Sequence, residues 1–296
     1  MQDSKYFKTS PKSLAIFVLK LVLTLAAIFY LSKKIDLAEM LKATRQIDPL
    51  WFVLSLLSFL LAKWISTYRI KFLFRSLDFE IKQGFNVSAF FIGSFFNLFL
   101  PSSVGGDGVK ALLFSERLEC RKRDALAVVF LDRLSGMAAL VAWTALILII
   151  SNPSLQPHYL SFLFWPALFF SLPIYIMIQR NIFPLFKSSA IKVALISGFV
   201  QLIHLFSAWC LIEGLGIKER VLEYLAVFMA SSVTSVLPIT IGGLGIREIV
   251  SECLAENMGL DQSLAVSVAF LYFIVIVLSS LPGLVLMLIH LVRKKP

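Results

Sequence analysis

Asp107 and Lys110 lie in Asn97-Leu-Phe-Leu-Pro101-Ser-Ser-Val-Gly105-Gly106-Asp107-Gly108-Val-Lys110, a Pro/Gly-rich break inside an apolar run. A second copy follows 137 positions later. Leu100–Lys110 aligns with Leu237–Arg247, identical at five of eleven positions and conservative at three more. Each copy sets a cation, Lys110 or Arg247, two residues after a glycine of the break. A broken helix frees backbone N–H groups, and in hydrocarbon these must be buried in protein or line a wet cavity. The glycines let a ligand approach the main chain, and the half-helix that follows presents its positive dipole end. The expected chemistry is capture of an anion such as a phosphate, with Lys110 and Arg247 in the first turns of the two half-helices. Against this stands the common use of Pro and Gly to kink or tightly pack membrane helices; the matched duplication favours the functional reading.

Asp107 has no acidic twin, because Leu244 takes its place. An ionisable group at membrane depth costs about 2.5–3.5 kcal/mol on insertion scales, so a partner is expected. Arg69, Lys63 and the Asp132-Arg133 pair are the candidates. Asp107 has three readings: it carries a proton, orients a substrate amine, or neutralises Arg133. Arg69 and Lys63 are further candidates for anion binding, with snorkelling to the surface as the alternative for Arg69. His204, with Gln201 one turn earlier, reads more readily as a helix-to-helix hydrogen bond than as a ligand. Glu116-Arg-Leu-Glu-Cys-Arg121-Lys122-Arg123-Asp124 is a basic loop suited to anionic head groups or simply to fixing topology. Cys120, Cys210 and Cys253 match no metal or redox spacing, and no P-loop, nucleophile elbow or dinucleotide fingerprint occurs. No cofactor or metal is expected.

The composition bounds what can position these residues. With 58% hydrophobic residues and a mean hydropathy of +0.86, the chain is an all-α integral membrane protein. The net charge of +10 lies in short loops between apolar runs, so the positive-inside rule accounts for it and nucleic acid is not an expected partner. Full spans are expected at about 14–32, 50–74, 125–150, 159–178, 189–212 and 262–290. The stretches 85–118 and 222–256 are each broken into two half-helices.

Loop charge separates the two ways of threading the broken stretches. With Lys20, Lys63, Arg69 and Arg133 set aside because they lie in or at the ends of spans, re-entrant hairpins leave 17 basic residues on the inner side and 7 on the outer; single spans leave 11 and 13. Hairpins are therefore expected, with cytoplasmic termini and halves of about 1–150 and 151–296 related as inverted repeats. The polar N-terminus followed by an apolar run without a small-residue cleavage site reads as a retained first span.

Leu100-Pro101 with Gly105-Gly106-Asp107-Gly108-Val-Lys110, Asp132-Arg133-Leu-Ser-Gly136, and Leu237-Pro238 with Gly242-Gly243-Leu-Gly245-Ile-Arg247-Glu248 together resemble the lysylphosphatidylglycerol synthase transmembrane-region family, also called flippase-like domain proteins. In that family the membrane unit is fused to a synthase domain or stands alone. Only three basic residues and a proline follow the last span here, so the synthase activity is not carried over. The resemblance implies lipid translocation in the cell membrane, and it marks Pro101, Gly105, Gly106, Asp107, Lys110, Asp132, Arg133, Pro238, Gly242, Gly243, Gly245, Arg247 and Glu248. Asn97, Ser102, Ser103, Gly108, Thr240 and Arg69 complete the expected binding set. The partner is a membrane phospholipid, anionic or aminoacylated, with a homodimer or a lipid-synthesis enzyme as further partners. Two rivals are kept. One is a lipid-binding accessory subunit of a lipid or glycan synthesis enzyme; the other is a membrane-embedded head-group enzyme using Asp107, Asp132 or Glu248.

Overall fold

A computed structural model describes residues 29, 42, 44–99, 105–151, 158–235 and 245–293. The expected first span, 14–32, lies outside these residues apart from Phe29. Among the described residues every regular element is helical: α1 Pro49–Arg75, α2 Gln83–Phe99, α3 Gly105–Leu118, α4 Lys122–Ser151, α5 His158–Asn181, α6 Ala190–Gly214, α7 Val221–Thr234, α8 Ile246–Asn257 and α9 Gln262–Arg293. One 3-10 turn, Pro184–Ser189, leads into α6.

Five helical segments are long and apolar enough to cross a membrane: α1, α4, the Phe162–Asn181 part of α5, Pro184–Gly214, and the Gln262–Ile289 part of α9. Their lipid-facing residues are inside out relative to a soluble protein. On α1 the exposed positions Leu50, Val53, Leu57, Leu61 and Trp64 recur every three or four residues, as one stripe of a helix. The start of α1 is fixed locally. Pro49 occupies the first turn, where its missing N–H costs nothing, and the Asp48 carboxylate accepts from Leu50 N–H at 2.8 Å.

The shorter helices form two hairpins. In the first, α2 and α3 run antiparallel, with Asn97 beside Gly106, Gly93 beside Lys110, and the rings of Phe85 and Phe114 5.8 Å apart. Contact at Gly93 and Gly106 is backbone to backbone, since a Cβ on Gly106 would fall 2.1 Å from Gly93 O. In the second, α7 and α8 run antiparallel, with Arg247 beside Ser235 and Phe228 and with Arg220 reaching the Met258 and Gly259 carbonyls.

The offset that superposes Leu100 on Leu237 also carries each of the first four helices onto a later one: α1 onto α6, α2 onto α7, α3 onto α8 and α4 onto α9. Packing repeats in the same way. α2 lies on α9 as α7 lies on α4, and α3 lies on α4 as α8 lies on α9. The corresponding helices α1 and α6 run antiparallel against one another. Asp48 N–H bonds Gly214 O at 2.9 Å, the Ser55 and Ser207 hydroxyls are 2.9 Å apart, Arg69 meets Ser197, and Ser76 bonds Ser189 at 2.9 Å. These contacts converge about a point near Lys63 and Val200, which are equivalent positions of the two repeats.

Two apolar cores flank that point. One joins Phe59, Leu140, Leu205, the α7 helix and the start of α9; the other joins Ile70, Phe74, Phe90, Phe114, Leu131, Tyr175 and Val193. Between them, on α1, α4 and α6, runs a polar seam of Lys63, Ser66, Arg69, Asp132, Ser197, Gln201 and His204.

Candidate functional site

The seam is closed by pairing rather than by solvent. Arg69 Nε donates to Asp132 Oδ1 at 2.8 Å and its Nη1 to Ser197 Oγ at 3.2 Å, tying α1 to α4 and α6 in one buried cluster. Arg69 is 6% exposed, which overturns the snorkelling alternative: an ion pair with two hydrogen bonds holds the guanidinium inside. Gly136, one turn beyond Asp132, leaves ordinary van der Waals room for that guanidinium, and its carbonyl accepts from Gln201 Nε2 at 3.2 Å. His204 bonds the Tyr272 hydroxyl through Nδ1 at 3.0 Å and packs on Phe59, so it makes the helix-to-helix contact expected of it.

Asp107 is buried at the opening turn of α3 and takes three partners. Oδ1 lies 2.9 Å from Lys110 Nζ and accepts from Asn97 Nδ2 at 3.2 Å, while Oδ2 meets Arg133 Nε of α4. Of the partners expected for Asp107 the structure brings Arg133; Arg69 goes to Asp132, and Lys110, three residues along the same helix, takes the remaining oxygen. Neutralising Arg133 is thus the role the geometry displays. One carboxylate faces two cations here. Arg133 extends outward, its side chain 34% exposed while those of Asp107 and Lys110 are 6%.

Two expectations about the first break change. Because α3 begins at Gly105, Lys110 is its sixth residue and sits in the second turn, not the first. And Gly106 serves packing, since its bare Cα lets α3 press on α2; the open glycine is Gly108, around which nothing lies within 4 Å of a built Cβ. Gly93, not singled out by sequence, is its counterpart: the Lys110 stem fills the space where its Cβ would be. The Lys110 ammonium then lies over the Phe90 ring, 5.0 Å from its centre.

The second hairpin repeats the cation-on-aromatic theme. Arg247, second residue of α8, lies 5.9 Å from the Phe228 ring centre and 5.3 Å from that of Tyr272, and Nη2 donates to Ser235 Oγ at 2.9 Å. Gly245 caps the helix with φ +93°, a left-handed conformation that favours glycine. The Glu248 carboxylate reaches back to the Gly245 N–H at 2.6 Å, the half of a capping box that a glycine permits.

Lys63 faces Phe91 of the first hairpin and, through the Phe59 and Tyr272 rings, is linked to Arg247 of the second. Its ammonium donates to Ser280 Oγ of α9 at 3.0 Å and lies over Phe59 and Phe91, and among the described residues no carboxylate is within salt-bridge reach. Lys110 lies on Phe90, next in sequence to the Phe91 that Lys63 faces, and Arg247 lies on Tyr272, the hydrogen-bond partner of His204. Cations of both hairpins therefore border the same interior seam. Pro101, Ser102, Ser103, Pro238, Thr240, Gly242 and Gly243 lie outside the described residues. Sequence reading missed Ser197, Ser280 and Tyr272, ordinary residues of apolar helices that only the fold brings to the charges. In the loop after α3, burial raises the Cys120 thiol above its usual value, and nearby Asp124 adds to this, so it stays protonated.

These features define an all-α, multi-pass membrane protein with a buried, net basic seam beside two helical hairpins. The lysylphosphatidylglycerol synthase TM region family model matches residues 17–283, and the chain belongs to that family. Among curated proteins none matches the chain.

Proposed function

We propose that the chain moves a membrane phospholipid between leaflets, holding its anionic phosphate at the seam between the two hairpins while the acyl chains stay in the bilayer. The observation that carries this reading is the pair Lys110 and Arg247. They occupy equivalent positions of the two repeats, both buried, each stacked on an aromatic ring of its own hairpin, and each beside the seam that Lys63 occupies. Among the described residues Arg247 forms no ion pair and Lys110 shares the Asp107 carboxylate with Arg133; cations buried with so few carboxylates are costly, and an anionic group on the ligand offsets that cost.

The hairpin helices support a re-entrant arrangement. Lengths of 17, 14, 14 and 12 residues correspond to about 26 Å at most at 1.5 Å per residue, short of a hydrocarbon core of about 30 Å. The antiparallel α1 and α6 pair supports halves related by an axis in the membrane plane, and the loop charge favours cytoplasmic termini. Rocking about the Lys63 region would then turn the seam from one leaflet to the other. Asp107 acts as a clamp that aims Lys110 and Arg133. No bond is made or broken in this cycle, so the protein is read as a transporter rather than an enzyme.

The test is dithionite quenching of fluorescent phosphatidylglycerol in liposomes containing the purified protein, alongside a Lys110→Gln, Arg247→Gln double variant. The expected outcome is translocation by the parent and at least tenfold slower translocation by the variant at equal reconstitution. Equal rates, or no translocation of the lipid by the folded parent, would remove the reading.

A further inference from the structure

Arg247 and Glu248 are adjacent in the first turn of α8, 6% and 3% exposed, and each holds a polar atom without a partner among the described residues. On Arg247 it is Nε, a donor; on Glu248 it is Oε1, an acceptor. Their remaining contacts aim both side chains at the hairpin end of the helix. The guanidinium reaches Ser235, the residue that caps the end of α7, and the other carboxylate oxygen takes the Gly245 N–H. The two groups feel one another's charge, yet among the described residues they form no direct ion pair. Consecutive side chains on a helix diverge and do not pair with each other, so each open atom needs a partner from outside the two.

From this geometry we infer a site for a compact zwitterion, a phosphate and a primary ammonium joined by a short linker, with the phosphate on Arg247 and the ammonium on Glu248. The inference rests on the proposed lipid site and names its head-group class. A phosphate oxygen accepts from Nε–H and sits at the N-terminus of a 12-residue helix. The ammonium donates to Oε1. Consecutive side chains diverge around a helix, but both of these turn to its hairpin end, Arg247 to Ser235 and Glu248 to the Gly245 N–H, so one compact ligand can meet both. A two-carbon linker, as in phosphoethanolamine, joins its two charges on that scale. A head group of the glycerol type would satisfy Arg247 but leave Glu248 bare. Asp107, the other acidic candidate for an amine, is already taken by Lys110, Arg133 and Asn97. Both open atoms are shut from solvent, as a site that carries a polar group inside a bilayer requires.

Native mass spectrometry of the detergent-solubilised full chain, titrated with phosphatidylethanolamine and with phosphatidylglycerol of the same acyl chains, tests this directly. The parent is expected to prefer phosphatidylethanolamine by about tenfold, one charge-assisted hydrogen bond's worth of discrimination. Soluble phosphoethanolamine should displace it where glycerol phosphate does not. Glu248→Gln keeps an acceptor for Gly245, and it is expected to bring the ratio to one while phosphatidylglycerol binding persists. A parent ratio near one, or a ratio unchanged in Glu248→Gln, overturns the inference and reduces Glu248 to a helix cap. The parent measurement needs no variant to fold. Lipid translocation surviving with a ratio of one would sink this inference alone; binding of neither lipid would sink it together with the transport reading.

Discussion

The carboxylate of Asp107 on α3 meets the guanidinium of Arg133 on α4, and that contact ties the first hairpin to a membrane-spanning helix while Lys110 holds the other oxygen. Removing the charge leaves two cations facing a neutral amide. Asp107→Asn is expected to lower stability by about 3 kcal/mol, the low end for a broken buried pair because Arg133 is partly screened by solvent. Adding Lys110→Met should recover most of the loss, since it removes one stranded cation. Chemical denaturation in detergent reads both, and a double variant as unstable as the sum of the singles would contradict the shared pairing.

The glycines of the first break are expected to separate cleanly. A methyl on Gly106 would meet the Gly93 carbonyl, so Gly106→Ala should cost about 1–3 kcal/mol and lower the melting temperature, and Gly93→Ala should do the same against the Lys110 stem. Gly108→Ala meets open space and should stay within about 0.5 kcal/mol of the parent, helped by the better helix propensity of alanine. If Gly106→Ala melted with the parent, the close approach of α2 and α3 would be wrong.

The antiparallel pair α1 and α6 offers a covalent test. With Cys120, Cys210 and Cys253 replaced by serine, Ser55→Cys with Ser207→Cys should cross-link on mild oxidation, because their hydroxyls are 2.9 Å apart. The product is read as a mobility shift on a denaturing gel. If the halves rock about these helices, cross-linked protein should translocate lipid at least tenfold more slowly and recover on reduction. A link that forms yet leaves translocation untouched would argue for movement elsewhere.

Helices were legible in sequence and their pairings were not. The apolar runs expected at 50–74, 125–150 and 262–290 are α1, α4 and α9 to within three residues, because span length and hydrophobicity are local properties. The breaks were equally plain from Pro and Gly. Which carboxylate Arg69 meets is another matter: Asp132 lies 63 residues away, and the pairing follows from the crossing of α1 and α4, which no local pattern encodes. Gly106 shows the same limit. In sequence this glycine reads as an opening for a ligand, while its reason lies with Gly93 on the facing helix. The available signal was a second glycine placed on the other side of the break, where a hairpin would fold it back onto Gly106.

Lys63 separates function from stability. The residue is 8% exposed and its ammonium has a serine hydroxyl and two aromatic rings for company, so the folded state bears its desolvation with little return. Lys63→Met keeps the length of the side chain and discards the charge. Replacing a poorly compensated buried ion by a hydrophobe of like shape is neutral to stabilising. Lys63→Met is therefore expected to melt at or above the parent temperature while translocating anionic lipid at least tenfold more slowly, since the seam loses the cation between its two hairpins. Arg69→Met should do the opposite to stability, losing about 3–5 kcal/mol as Asp132 is stranded. Two neighbouring cations on one helix would then have opposite stability signatures. A Lys63→Met protein that was both less stable and fully active would show that the charge serves the fold and not the ligand.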